Sequence, residues 1–111
     1  MNYNYYAKVN RVIDGDTVNM TIDLGFNIYT TTNCRLAFIN AYELKDKDDT
    51  KKAKAYEAKD YLTFLLTKDL KVEIISHDLD KYGRPIVEIF ITGRSINHDL
   101  LDKGLALPYQ N

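Results

Sequence analysis

Arg11-Val-Ile-Asp-Gly-Asp-Thr-Val18, RVIDGDTV in one-letter code, sets two acids and a glycine between two stretches of strand character. Asp-Gly is the commonest short hairpin signal, and as a turn it needs no function. The same carboxylates could instead serve a metal or phosphate site, and this stretch alone leaves both readings open. Downstream, Val18, Met20 and Ile22 alternate with Asn19, Thr21 and Asp23. That period of two suits a half-buried strand. Upstream, Tyr5 to Ile13 is rich in aromatic and β-branched residues and pairs with it across Asp14-Gly15-Asp16. The chain therefore opens as an antiparallel sheet.

Beyond Gly25 a third strand is expected from about Ile28 to Ile39, with Cys34, Leu36 and Phe38 on one face and Asn33, Arg35 and Ala37 on the other. Leu44 to Lys52, LKDKDDTKK, carries mixed charge without period and reads as a mobile, solvated loop. From about Ala53 the period changes. Ala55, Ala58, Leu62 and Leu65, widened by Tyr61 and Leu66, form the stripe of an amphipathic helix laid on a core. Lys71 to Ser76 and Arg84 to Ile91 read as two more strands around a polar loop, His77 to Gly83, with Pro85 at a strand start or edge. Thr92-Gly93 turns the chain, Asn97 offers an N-cap, and Gly104 suits the C′ position of a short helix. The expected fold is mainly β with helices (α+β): a five-stranded barrel of the oligonucleotide-binding (OB) type, one long helix after strand three and a short C-terminal helix.

At 111 residues the whole chain, 1–111, fits one domain with a core of its own. A hydrophobic share of 45% and a charged share of 28% place it among globular chains, away from disorder. The single cysteine, Cys34, excludes an internal disulfide and reads as a core thiol. The first residues, MNYNYYAKVN, have neither a basic nor an apolar leader region, and no stretch reaches membrane-spanning length. As written the chain is expected to be cytoplasmic, or secreted if a leader has been trimmed from it. A net charge of -1 excludes a global electrostatic grip on nucleic acid, so any polyanion must be held by a local site.

The polar residues that interrupt the pattern fall into three groups: Asp14 and Asp16 at the first turn; Arg35, Asn40 and Glu43 at and beyond strand three; Lys81, Tyr82 and Arg84 before strand five. Each group has an ordinary structural explanation when taken alone. A turn accounts for the acids, an exposed strand face for Arg35, and turn chemistry for Tyr82-Gly83. His77 and His98 lack partners at ligand spacing and read as surface groups.

Taken in order, RVIDGDTV, CRLAFINAYEL, DKYGRPIVEIF and GLALPY resemble the motif series of the staphylococcal-nuclease-like (thermonuclease) family, from about Tyr5 to Tyr109. The resemblance implies a five-stranded OB barrel whose separated motifs converge on one cleft. It further implies a calcium-dependent phosphodiesterase that cleaves single-stranded or frayed DNA and RNA with little base specificity, leaving 3′-phosphates. Residue by residue, Asp16 resembles the family's metal-binding aspartate, Arg35 and Arg84 its phosphate-binding arginines, and Glu43 its catalytic glutamate. Asn40 and the backbone carbonyl of Ala41 fall at further calcium-ligand positions. Lys81 and Tyr82 match residues flanking the nucleotide, Tyr109 resembles an aromatic near its base end, and Asp14 is a supporting acid.

The departures lie in Asn40-Ala41-Tyr42-Glu43, where the family often has Asp-Thr-Pro-Glu or Asp-Ala-Pro-Glu. Asparagine still offers an oxygen to a hard cation but withdraws a negative charge, so weaker calcium affinity is expected. Tyr42 in place of proline loosens the turn that aims Glu43. The sequence stops at Asn111, short of the family's longer C-terminal helix. The chemistry suits these residue types, since charge builds on non-bridging oxygens as water attacks phosphorus. A divalent cation and planar guanidinium forks stabilise that charge. The alternatives are a non-catalytic nucleic-acid-binding barrel with a weakened metal site, or a protein-interaction module. Retention of Arg35, Glu43 and Arg84 favours the enzyme.

Overall fold

The computed structural model describes residues 2–109. Strand β1 (Tyr3–Asp14) runs into β2 (Thr17–Asp23) and β3 (Tyr29–Leu36), followed by a short β4 (Ile39–Ala41) and helix α1 (Asp49–Leu65). Then come β5 (Lys71–Leu79), β6 (Pro85–Ile91), the two-residue β7 (Arg94–Ser95), helix α2 (Ile96–Asp102) and β8 (Ala106–Pro108). The main sheet has the order β3-β2-β1-β5-β6-β7. A parallel pairing of Arg35 with Ile86 and Leu36 with Val87 joins β3 to β6 and closes β1, β2, β3, β5 and β6 into a five-stranded barrel. Strands β4 and β8 form a separate antiparallel pair.

The alternation in β2 is what fills the barrel: Val18, Met20 and Ile22 are buried together with Val9, Cys34, Leu36, Ile74, Val87 and Ile89. A 12-residue β1 can pair with both β2 and β5 because it is bent, with register shifts between Val9 and Arg11 and between Val12 and Asp14. Such bulges are the usual means of curling a strand around a closed sheet. Helix α1 covers one end of this core with Ala55, Ala58 and Leu62. Among the described residues, no helix is long and apolar enough to cross a membrane.

Several local expectations are corrected. Strand three ends at Leu36, because Phe38 adopts a left-handed φ of 70°. Ala37 is consequently buried and Phe38 turns half outward, the reverse of the simple alternation. Helix α1 begins at Asp49, within the stretch read as solvated loop, because the Asp48 side chain accepts from the N–H groups of Thr50 and Lys51 and caps it. Strand β5 continues to Leu79 across a bulge at His77. The cap of α2 is Ser95, and Asn97 lies inside the helix with its side chain fully buried. Gly104 takes the expected left-handed φ, 69°, just beyond the helix. Asn111, where the sequence ends, lies outside the described residues.

Candidate active site

Gly15 decides where the first two acids stand. Its φ lies outside the left-handed region, so conformational freedom does not account for it. Instead it is buried, and a Cβ there would lie 2.9 Å from that of Ala41 and 3.0 Å from that of Ala58. The hairpin tip is therefore wedged between β4 and α1, and Asp14 and Asp16 emerge on either side of the wedge. The Asp16 N–H donates to Asp14 Oδ1 at 3.0 Å.

Asp16 is the hub of the polar network. Its Oδ2 accepts from the Ala41 N–H at 2.9 Å and lies 3.3 Å from Arg35 Nη1, while Oδ1 accepts from the Thr17 hydroxyl at 3.1 Å. Burial raises its carboxyl pKa to about 6, and the hydrogen bond with Asp14 adds to this while the Arg35 charge opposes it. Arg35 also donates from Nη2 to Asn40 Oδ1 at 3.1 Å, and its guanidinium sits 5.8 Å from the Tyr109 ring centre. Because Phe38 O accepts from the Tyr109 N–H, alternation along β4 turns both backbone groups of Ala41 away from β8. Its carbonyl thus shares the edge from which its N–H reaches Asp16.

Arg84 is fixed by Asp80, a residue that sequence reasoning passed over as turn polarity. Asp80 Oδ2 accepts from Arg84 Nε at 2.6 Å, and Oδ1 accepts from the N–H groups of Tyr82 and Arg84. Burial acts to raise the Asp80 pKa, but these donors and the guanidinium charge outweigh it and hold the carboxyl below its ordinary value. The D-x-x-x-R spacing was the available signal. The Tyr82 ring carries Lys81 Nζ at 5.2 Å and the Arg84 guanidinium at 5.6 Å from its centre.

Asp14, Asp16, Arg35, Asn40, Ala41, Glu43 and Arg84 all line one open cleft of about 610 Å³. Lys81, Tyr82 and Tyr109 line an adjoining cavity of about 490 Å³, which shares Arg35, Asn40 and Arg84 with the first. Glu43 is exposed at the cleft wall. The three stretches separated in sequence thus meet at one place.

Among the described residues, no group of three or more His, Cys, Asp or Glu side chains is arranged to hold a metal by itself. The oxygens at the hub are the carboxylates of Asp14 and Asp16, the Ala41 carbonyl and the Asn40 amide oxygen, which already accepts from Arg35 Nη2. All are hard donors, as calcium prefers, and an acid raised by burial beside a second acid is a place where a cation relieves charge. The donor set fits such an ion, with water or substrate oxygens needed to complete six to eight ligands.

Two residues read as isolated surface groups prove to share a partner. His77 Nε2 and His98 Nε2 lie 4.0 and 3.3 Å from the two carboxylate oxygens of buried Glu88, which also accepts from the Ser95 hydroxyl at 2.7 Å. They sit on separate elements, so no spacing in sequence could reveal this. Cys34 is core, as expected, and burial pushes its thiol up to about 12.

Comparison with known proteins agrees with this fold. Residues 33–111 match the family described as staphylococcal nuclease homologue. The chain is also similar to Endonuclease YhcR of Bacillus subtilis (strain 168), with 29% identity over 113 residues covering 95% of this chain. The match spans only 9% of that relative's length.

Proposed function

Because the chain belongs to the staphylococcal nuclease homologue family, we propose that it is a calcium-dependent phosphodiesterase acting on single-stranded or frayed DNA and RNA with little base specificity, leaving 3′-phosphates. The observation that carries this reading is the meeting of Asp16, Glu43, Arg35 and Arg84 at a single cleft.

In this reading Arg35 and Arg84 clamp the non-bridging oxygens of the reacting phosphate. Each is held by a carboxylate, Asp16 or Asp80, so little reorganisation is needed when charge develops. Glu43, exposed at the cleft wall, orients the attacking water or takes its proton. Asp16, Asn40 and the Ala41 carbonyl would hold the cation, with Asp14 in support; calcium bound there supplies charge neutralisation at a phosphate oxygen. Water oxygen bonds to phosphorus as the bond to the 5′-oxygen breaks, which leaves the phosphate on the 3′ side. Lys81, Tyr82 and Tyr109 face the neighbouring nucleotide. Stacking on tyrosine accepts any base, and a clamp on phosphate reads backbone, so low base specificity follows.

Cleavage of heat-denatured DNA across a calcium titration, for the natural chain beside Arg35→Ala, Arg84→Ala and Asn40→Asp, tests this reading. Each arginine variant is expected to lose about 10²- to 10³-fold in kcat, as when one preorganised donor to a developing anion is removed. Asn40→Asp is expected to reach half-maximal activity at lower calcium. Equal rates in all four proteins, or cleavage undiminished by EDTA, would overturn it.

A further inference from the structure

At the end of the β2–β3 hairpin remote from the cleft, the chain exposes apolar side chains on a backbone that does not favour them. Gly25, Phe26 and Asn27 take left-handed φ values of 84°, 57° and 60°. Glycine and asparagine suit that region, whereas a phenylalanine there is strained. Phe26 is also 97% exposed, with Leu24, Ile28 and Tyr29 open to solvent beside it. At that exposure the ring gains almost nothing from its own chain. The tip is nevertheless firmly built. The Leu24 N–H donates to the Ile28 carbonyl at 2.8 Å, the Ile28 N–H to the Gly25 carbonyl at 2.9 Å, and the Gly25 N–H to Asp23 Oδ1 at 2.8 Å.

A seat for such a ring lies on the same hairpin. Asp23 and Tyr29, on either side of Phe26, pair across β2 and β3, and Asp23 also stands opposite Tyr6 on β1. A cavity of about 380 Å³, lined by the Tyr6 and Tyr29 rings, opens there. Charges of both signs surround it: Lys71, whose ammonium lies 4.5 Å from the Tyr6 ring centre, Lys8, which pairs with Asp69 at 3.7 Å, and Asp23. Two lysines against two aspartates leave this surface neutral in sum, so it does not repel a copy of itself. The same acids oppose docking on an anionic membrane. Because the protruding ring and the receiving cavity lie a few residues apart on one hairpin, two copies meeting tip to tip insert both rings at once, as an isologous contact requires. A fully buried aromatic side chain removes about 150–250 Å². Phe26, Tyr29 and Tyr6, flanked by Leu24 and Ile28, therefore bury on the order of 500 Å² per copy, which meets the total of about 1,000 Å² that a specific interface needs.

We propose that Phe26 inserts between Tyr6 and Tyr29 of a second copy of this chain, giving a two-fold dimer joined through the hairpin tips. The proposal stands apart from the nuclease reading. Thr17 and Arg35, at the cleft end of the same ladder, lie about 20 Å from Asp23 and Tyr29, so both clefts stay open in the dimer.

Sedimentation equilibrium of the natural chain beside Phe26→Gly and Phe26→Asp tests it. The natural chain should be half dimeric near about 100 μM, as suits so small an interface, and both variants should stay monomeric to at least about tenfold higher concentration. Glycine accepts the left-handed turn, so the urea midpoint of Phe26→Gly should be unchanged or higher, which separates lost association from lost folding. On dilution of the natural chain, amide shifts should move at residues 6–8, 21–29 and 69–71 and stay fixed at 35–43. A natural chain that remains monomeric throughout, or a Phe26→Gly chain that associates as well as the natural one, would overturn the proposal. Binding to vesicles of phosphatidylcholine and phosphatidylserine without self-association would reassign the tip to a membrane and overturn it equally.

Discussion

Between about pH 4 and pH 6, Asp16 is held in a protonation state that the unfolded chain does not share. Burial places its pKa near 6, above the ordinary 3.8, so in the cation-free protein the folded state keeps a proton that the unfolded state has already released. Between these two values stability must therefore fall as pH rises, and above about 6 the loss is complete. Asparagine at this position mimics the neutral acid and does not titrate. In EDTA, the melting temperature of Asp16→Asn relative to the natural chain should accordingly climb from pH 4 to pH 6 and then level off. A difference that stays constant over this range would show that Asp16 is not raised.

At the scale of elements, the site depends on how closely three of them approach. Gly15→Ala forces a methyl against Ala41 and Ala58 and should cost about 1–3 kcal/mol by overpacking, measured as a lower urea midpoint with unchanged slope. The double variant with Ala58→Gly should recover part of that loss; no recovery would place the clash elsewhere. Asn97 serves a comparable purpose between β6, α2 and the end of β3. Its amide nitrogen donates to the carbonyls of Ala37 and Val87, at 2.9 and 3.0 Å, and its oxygen accepts from the Ile89 N–H at 3.0 Å. Asn97→Ala strands these buried backbone groups and should cost about 3 kcal/mol or more in chemical denaturation. A loss under about 1 kcal/mol would mean that water replaces the amide.

The elements themselves were legible because their periods are plain: two in β2, and steps of three and four in α1. What sequence did not disclose was set by contacts across the fold. Asn97 has the composition of a cap, and only the distant carbonyl of Ala37 makes it a buried tie. Asp48 caps α1 from inside a run whose charges hide any period. Of the candidate site, the residues that meet at the cleft were named through the motif series. The supports, Gly15 and Asp80, look like ordinary turn residues until the packing around them is seen.

Over the whole molecule, 15 basic residues face 16 acidic ones, so attraction for a polyanion is confined to the cleft. With Arg35, Arg84 and Lys81 as the cations proposed to face phosphate, the slope of log affinity against log salt for single strands should be about −2. A slope steeper than about −6, measured by anisotropy between 50 and 200 mM salt, would require a broader basic surface than this chain carries.

The joining of β3 to β6, and of β4 to β8, also carries a meaning for the order of events at synthesis. Asp16 and Arg35 leave the ribosome early, but the strand against which Arg35 is registered and the tyrosine ring beneath its guanidinium come from the last third of the sequence. Until then a growing chain holds Asp16 and Arg35 on an open, half-wound sheet. The cleft can be assembled only after β6 and Tyr109 have been synthesised, so the stretch from Asp14 to Glu43 forms no completed site on its own.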